Sequence, residues 1–217
     1  GAAYLAGLAA YRSGAGLVRI LTPQSNRLIV QSLLPEAIFT GYDTDSDFRV
    51  LSEANVSWAD IIVLGPGLGT EALSVTLVRE LLHAIAAECD VAPSKWLRKF
   101  PLLLIDADGL NILSARPELM QLVDHIAARI PVVVTPHPME MARLSAASLQ
   151  EILQCPAHAA EALAEAHGTV TVMKGSETIV LDADGHAFQN LEASPALSKG
   201  GSGDVLSGTI AGVYACL

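Results

Sequence analysis

SKGGSGDVLSGTIAGV, Ser198–Val213, is the most informative segment of the sequence, because three glycines, a serine and an aspartate lead directly into an apolar run. Glycine loses more backbone freedom on folding than any other residue, so this cluster indicates a tight turn or a close approach to a ligand. The apolar run has the spacing of a helix. The backbone amides of Gly201, Ser202 and Gly203 are then expected at the positive end of the helix dipole, where an anion binds. Asp204 is also compatible with a plain helix-start role.

Short apolar runs alternate with helical patterns along the chain. Helices between strands predict an α/β fold, a sandwich with a mostly parallel central sheet flanked by helices. We find no repeat or linker, so residues 1–217 are expected to form a single domain. The predicted strands are Leu17–Leu21, Ile61–Leu64, Leu102–Ile105, Val132–Val134 and two more on either side of Lys174–Glu177.

Glycines and polar residues follow several of these strands directly. They are Gly65–Gly69, Asp106–Asn111, Pro136–Glu140 and Lys174–Thr178. Ligands of open α/β sheets bind beyond the carboxyl ends of the strands, so these segments are expected to form the site. We expect the turn at Lys174–Thr178 to lie beside Gly200–Gly203, although Lys174–Ser176 also fits an ordinary hairpin turn.

The other motifs carry less information. Gly65–Gly69 completes neither the dinucleotide fingerprint nor a phosphate-binding P-loop. The DADG runs at Asp106 and Asp182 do not complete a calcium loop. His137 stands between two prolines after a buried strand, a rigid setting that favours a binding role.

Composition limits the possible functions. Of 217 residues, 51% are hydrophobic and 17% charged, with a net charge of -10. An acidic chain lacks the basic clusters that bind nucleic acid or anionic membranes, so neither partner is expected. The three cysteines form no CxxC pair, and Gly1–Ala10 lacks the basic region of a signal peptide. We therefore expect a reduced, cytoplasmic protein.

Taken in order, several segments resemble the ADP/ATP-dependent NAD(P)H-hydrate dehydratases, carbohydrate-kinase-like enzymes with the ribokinase-like fold. The segments are GAAYLAGLAAYRSGAGLV, VLGPGLG, LIDADGLNIL, VVVTPHPMEMARL, VMKGSETIV and ALSKGGSGDVLSGTIAGV. Compared with that family, the chain is expected to lack an N-terminal glycine-rich strand segment and the C-terminal helices. Ser202 stands where the glycine motif of the family usually has threonine. The segment Cys89–Phe100 resembles a local insertion relative to the family.

The resemblance implies nucleotide-dependent repair of hydrated NADH and NADPH. ADP or ATP, with Mg²⁺ as cofactor, would phosphorylate the ring hydroxyl of the hydrate, and loss of phosphate would restore NAD(P)H. The resemblance further implies a homo-oligomer, a tetramer, and it supplies no protein ligand for the metal.

The resemblance also implies site residues, position by position. Asp204 would be the catalytic base, and the amides of Gly201, Ser202 and Gly203 would stabilise the transferring phosphoryl group. The nucleotide would be held by Lys174, Gly175, Ser176, Glu177, Thr178 and Gly203. The hydrate would be bound by Ala2, Gly67, His137 and Asp204, with Asn111 and Glu140 added because they follow neighbouring strands.

Two alternative functions stay open from the sequence. A small-molecule kinase of the same superfamily, acting on a sugar, hydroxymethylpyrimidine or thiazole alcohol, would use the same anion site and base. A non-catalytic nucleotide-binding domain would use the anion site alone.

Overall fold

The computed structural model describes residues 1–91 and 101–217. Its strands are β1 (Arg19–Pro23), β2 (Ile38–Tyr42), β3 (Ile61–Leu64), β4 (Leu102–Ile105), β5 (Val132–Val134), β6 (Val170–Met173), β7 (Thr178–Leu181) and β8 (Ala187–Asn190). Its helices are α1 (Ala2–Ser13), α2 (Arg27–Leu33), α3 (Phe48–Trp58), α4 (Ala72–Val91), α5 (Asp108–Ser114), α6 (Pro117–Ala127), α7 (Pro138–Leu144), α8 (Leu149–Gln154), α9 (Pro156–His167) and α10 (Ser202–Tyr214). Two short 3₁₀ helices lie at Gln24–Asn26 and Pro195–Leu197.

The larger sheet has six strands in the order β3-β4-β5-β6-β7-β8. The pairs from β3 to β6 are parallel, whereas β7 and β8 are antiparallel to their neighbours. This arrangement confirms the predicted α/β fold with a mostly parallel sheet. Because β3 to β6 run in the same direction, their carboxyl ends and the loops that follow lie along one edge of the sheet.

Alternate residues of the central strands enter different hydrophobic clusters. On β4, Leu103 and Ile105 join the large core that contains side chains of α4, α5 and α6. Leu102 and Leu104 join the other face, where Leu206, Ile210 and Tyr214 of α10 pack. Strands covered on both faces show continuous apolar runs, which explains why β3 to β6 were readable in the sequence.

A second, smaller sheet consists of β1 and β2 in parallel pairing. The sequence predicted a strand at Leu17–Leu21, but β1 occupies Arg19–Pro23 and pairs along Ile38–Tyr42, a strand that was not predicted. Between β1 and β3, the described residues supply no bridging strand. A cavity of about 760 Å³ lies there, lined by both strands together with α1 and α10.

The segment interpreted as an insertion, Cys89–Phe100, lies outside the described residues from position 92 onward. Cys89 itself belongs to the last turns of α4. Within residues 1–91 and 101–217, we find no helix with both the length and the apolar character needed to cross a membrane.

Candidate functional site

A buried carboxylate lies at the sheet edge formed by the carboxyl ends of β3 to β6. Asp106 follows β4 directly and is 1% exposed. Its Oδ1 lies 2.6 Å from the Nζ of Lys174, which follows β6. Glu140 Oε2 lies 3.8 Å from the same Nζ. The ends of β4 and β6 and the start of α7 are therefore joined through one ammonium group.

The start of α10 meets this ion pair. Ser207 Oγ donates a hydrogen bond to Asp106 Oδ2 at 2.7 Å and lies 3.1 Å from the carbonyl oxygen of Gly203. A Cβ placed on Gly203 would lie 3.5 Å from Lys174 Nζ. Lys174 and the glycine loop are thus neighbours, as expected if one ligand contacts both.

The loop before α10 has the backbone that its glycines permit. Gly201 is the N-cap residue, with φ of 89° in the left-handed region, and no side chain caps the helix. The amide of Ser202 donates to the carbonyl of Lys199 at 3.3 Å, so it does not face outward as the sequence led us to expect. Gly203 and Asp204 occupy the first turn of α10, at the positive end of its dipole.

Asp204 has a perturbed environment. Burial raises the pKa of its carboxyl group above the ordinary value of 3.8, and the nearby charge of Asp106 raises that pKa further, while the ammonium of Lys174 lowers it. A Cβ placed on Gly201 would lie 3.9 Å from Asp204 Oδ2. A partly buried carboxylate of raised pKa beside a glycine loop suits a proton acceptor.

The predicted hydrate residues Ala2 and Gly67 are in contact. Gly67 has φ of 66°, and a Cβ on it would lie 2.8 Å from the Cβ of Ala2. The same part of α1 reaches the glycine loop, since a Cβ on Gly201 would lie 2.5 Å from Leu5 Cδ1. The structure therefore places the start of α1 beside both the loop after β3 and the loop before α10.

His137 and Glu140 form a reciprocal cap at the start of α7. The Nδ1 of His137 accepts hydrogen bonds from the amides of Met139 and Glu140, at 3.1 Å and 3.4 Å. Glu140 Oε2 accepts from the amide of His137 at 2.8 Å, and its Oε1 lies 3.3 Å from His137 Nε2. The Glu140 side chain is 4% exposed and that of His137 is 45% exposed, so only the imidazole is open to a ligand.

Asn111 belongs to a chain of polar contacts that joins the loop after β3 to helices α5 and α7. Asp108 Oδ2 accepts a hydrogen bond from the amide of Gly69 at 2.8 Å. Asn111 Nδ2 lies 3.5 Å from Asp108 Oδ1, and Asn111 Oδ1 accepts from Arg143 at 2.7 Å. These contacts give Asn111 a structural role in holding the loops after β3 and β4 against α7.

The rest of the Lys174 turn is more open. Gly175, Ser176 and Glu177 are exposed and Thr178 begins β7, with the Glu177 side chain accepting from Gln189 at 2.6 Å. The sequence interpretation placed the segment Asp106–Asn111 at the site but gave Asp106 no role of its own, and it missed Ser207. Asp106 was visible as a carboxylate directly after a buried strand, and Ser207 as a polar residue one helical turn after Gly203.

Comparisons with known proteins identify the family of this chain. A family model described as NAD(P)H-hydrate dehydratase matches residues 1–217, the whole chain. The chain is 36% identical over 211 residues to a bifunctional NAD(P)H-hydrate repair enzyme of Escherichia coli, covering 97% of this chain and 35% of that enzyme. It is 34% identical to an ADP-dependent (S)-NAD(P)H-hydrate dehydratase of Lactiplantibacillus plantarum, covering 98% of this chain and 66% of that protein.

Solved structures are similar as well. An ADP/ATP-dependent NAD(P)H-hydrate dehydratase of Bacillus subtilis, co-crystallised with ATP/Mg²⁺, superimposes with a TM-score of 0.73 at 29% identity, covering 99% of this chain and 68% of that one. A ribokinase-like superfamily protein of Enterococcus faecalis gives a TM-score of 0.77 at 29% identity, covering 99% of this chain and 66% of that one. A hydroxyethylthiazole kinase from Pyrococcus horikoshii is only 14% identical, with a TM-score of 0.58, and shares the fold alone.

Proposed function

This chain belongs to the NAD(P)H-hydrate dehydratase family, and we propose that it converts hydrated NADH and NADPH back to NAD(P)H with consumption of ADP or ATP. The observation that carries the proposal is the meeting of Lys174 with the glycine loop before Asp204. A cation, first-turn amides and a carboxylate of raised pKa together provide what phosphoryl transfer to a hydroxyl needs.

Asp204 would act as the base. Its carboxylate would take the proton of the ring hydroxyl as that oxygen attacks the terminal phosphoryl group, and nucleotide would leave with one phosphate fewer. The C–O bond between the ring and the new phosphate group then breaks and inorganic phosphate leaves, while loss of a proton from the neighbouring ring carbon to solvent restores the ring double bond. A positioned base of this kind contributes about 10²–10⁴ in rate.

Lys174 and the first turn of α10 would bind the phosphates. The ammonium lies beside Gly203, where the amides and the helix dipole favour negative charge. Gly175, Ser176, Glu177 and Thr178 would contact the rest of the nucleotide. Of the proposed amide donors, Gly203 is better placed than Ser202, because the Ser202 amide already donates to Lys199.

Ala2, Gly67 and His137 would bind the hydrate. Ala2 and Gly67 are in contact, and the open imidazole of His137 follows β5 at the same edge of the sheet. Glu140 would act through His137 and Lys174, because its own carboxylate is buried between them. Asn111 would support the pocket wall through Arg143.

Mg²⁺ would be held chiefly by the phosphate oxygens of the nucleotide, since that ion commonly combines substrate phosphates with few protein ligands. The carboxylates of Asp106 and Glu140 are already engaged by Lys174. In the described part of the chain, Asp182, Asp184 and His186 form the one group of three possible metal ligands. They follow the far end of β7, away from the Lys174 turn, and we assign them no part in the reaction.

The test is direct. We expect the purified chain to regenerate dihydronicotinamide absorbance from hydrated NADH when ADP or ATP and Mg²⁺ are present, and not when nucleotide is omitted. Accumulation of a stable phosphate ester would indicate the kinase alternative. Nucleotide binding without any turnover would indicate a non-catalytic domain, and either result would contradict the proposal.

The oligomeric state, the cellular compartment and the single-domain organisation of residues 1–217 stay predictions. We propose a homo-tetramer on the family resemblance, and a cytoplasmic location because the three cysteines form no CxxC pair or disulfide framework. Analytical ultracentrifugation of the chain would test the first of these.

A further inference from the structure

Asp106 is fully engaged although it was assigned no role in the reaction. The residue is 1% exposed, Lys174 approaches one carboxylate oxygen at 2.6 Å, and Ser207 donates to the other at 2.7 Å. Its two partners come from different elements, the end of β6 and the second turn of α10. A buried carboxylate is tolerated when it is paired and hydrogen-bonded, and here both conditions are met.

The orientation of the Lys174 side chain depends on the Asp106 carboxylate. A lysine side chain is flexible and its ammonium is strongly hydrated, so an unpaired lysine at a surface loop would extend into water. Here the Lys174 side chain is only 20% exposed, and its Nζ is directed inward to Asp106 and Glu140. That position lies beside Gly203, at the start of α10.

We propose that Asp106, fixed by Ser207, is the positioning residue that holds the ammonium of Lys174 at the phosphate-binding end of α10. The proposal rests on the proposed function, because it gives Lys174 its task. Asp106 does not contact the reacting atoms. It acts through Lys174 and through its own charge near Asp204.

The charged groups that face Asp204 make the proposal testable. They are Asp106 at the end of β4, Lys174 at the end of β6, Asp108 at the start of α5 and the amino group of Gly1. Asp106 and Asp108 raise the pKa of Asp204, whereas Lys174 and the amino group lower it. The charges of Asp106 and Lys174 therefore act on the pKa of the base in opposite directions.

The decisive experiment compares the pH dependence of kcat/KM for Asp106→Asn and Lys174→Met. The acid limb of this profile reports the pKa of the base in the free enzyme. If Asp106 holds Lys174, Asp106→Asn removes the charge of Asp106 and also releases the ammonium, so the two contributions offset and the acid limb should move little, whereas Lys174→Met should shift it to higher pH. A clear shift of the Asp106→Asn limb to lower pH would mean that the ammonium stays beside Asp204 without its carboxylate, and that result would overturn the proposal.

Nucleotide affinity gives a second readout. Loss of a hydrogen bond to a charged group typically weakens an interaction about 10- to 100-fold, and we expect Asp106→Asn to lose ATP affinity within that range. Ser207→Ala should give a smaller loss in the same direction. Ser52→Ala is the matched control, because Ser52 is equally buried and its Oγ has no hydrogen-bond partner. Equal effects of the two serine variants would contradict the proposal.

A third readout separates this proposal from the proposed function. The acetylation rate of Lys174 by acetic anhydride, measured by mass spectrometry without nucleotide, should rise in Asp106→Asn, with exposed Lys199 as the internal reference. If the wild-type chain neither binds nucleotide nor converts hydrate, the proposed function fails. The acetylation measurement then still tests whether Asp106 holds the Lys174 ammonium. If the wild-type chain converts hydrate but Asp106→Asn leaves the acetylation rate of Lys174 unchanged, Asp106 does not hold the ammonium.

Discussion

At the level of single residues, Asp204 is required by the proposed reaction, but its ionised carboxylate lowers the stability of the folded state. Burial and the neighbouring Asp106 raise the pKa of its carboxyl group, which means that the folded state binds this proton more tightly than the unfolded chain does. Its ionised form therefore reduces stability at every pH above the raised value. That cost disappears below the ordinary value of 3.8, where the group is protonated in both states.

Asp204→Asn tests both aspects together. We expect hydrate turnover to fall about 10²-fold or more, because the base is lost, while ATP still binds. The melting temperature should rise at neutral pH, since asparagine carries no charge, and this gain should shrink as the pH falls towards 4. The measurements are turnover and thermal melts over a pH series. Near-normal turnover would leave Asp204 as a helix-start residue only.

The sequence revealed the individual residues of this site better than their partners. Asp204 and Lys174 stood out because glycines and strand ends surround them. The pairing of Lys174 with Asp106 could not be predicted, because 68 residues separate them and many carboxylates follow strands. In the sequence, Ser207 is one of several small residues of a packed helix. Only the position of β4 in the fold brings Asp106 within reach, so that the Ser207 hydroxyl can donate a hydrogen bond to it.

At the scale of elements, α7 shows how a cap and a binding residue can coincide. His137 caps the helix through Nδ1, and its side chain is nevertheless 45% exposed. A loss of hydrate binding in His137→Ala would therefore have two explanations. Either the ligand loses a contact, or the α7 cap and the neighbouring Glu140 are displaced.

A pair of substitutions separates these explanations. His137→Ala removes the cap and should lower stability by about 1 kcal/mol, whereas His137→Asn keeps a capping oxygen and should restore most of it. If the imidazole contacts the hydrate, KM for the hydrate stays raised in both variants and ATP affinity stays nearly normal. If His137→Asn restores KM together with the melting temperature, the effect of His137 runs through the cap.

Strands with continuous apolar runs were predictable, and strands without such a run were missed or misplaced. The strands β3 to β5 are runs of Val, Ile and Leu, β6 is Val-Thr-Val-Met, and all four contribute side chains to the clusters on both faces of the sheet. Strand β8 is exposed at every position and carries no apolar signal. The predicted strand Leu17–Leu21 lies two residues too early, because β1 begins at Arg19 and ends at Pro23. Proline has no amide hydrogen to donate, and an edge strand such as β1 tolerates it.

At the scale of the whole molecule, contact between α1 and α10 joins the two sheets. Ala3, Tyr4 and Leu8 of α1 pack on the small core of the two-stranded sheet. Leu206 and Ile210 of α10 pack on the six-stranded sheet. The two helices approach closely at Gly208, where an added Cβ would lie 2.8 Å from the carbonyl carbon of Ala6 and 2.9 Å from its Cα. These are backbone atoms, which cannot move aside as a side chain would.

Gly208→Ala tests this joint. Alanine in a helix interior is normally more stable than glycine by about 1 kcal/mol, so propensity alone predicts a gain. We expect a loss of about 1–3 kcal/mol instead, because the added methyl group forces α1 away from α10. Gly7→Ala on α1 is the matched control, since its added Cβ meets only side-chain atoms, the nearest being Leu34 Cδ2 at 3.1 Å.

Hydrogen exchange then shows where the loss falls. If α1 and α10 hold the two sheets together, the amides of β1 and β2 should lose protection in Gly208→Ala, while those of β4 and β5 keep theirs, because the core of the larger sheet is untouched. The start of α1 also reaches the glycine loop, so ATP affinity should fall in the same variant. A melting temperature at or above that of the wild type would mean that the helices can separate without cost. In that case the two sheets must be joined elsewhere, through the packing of α3 against α4.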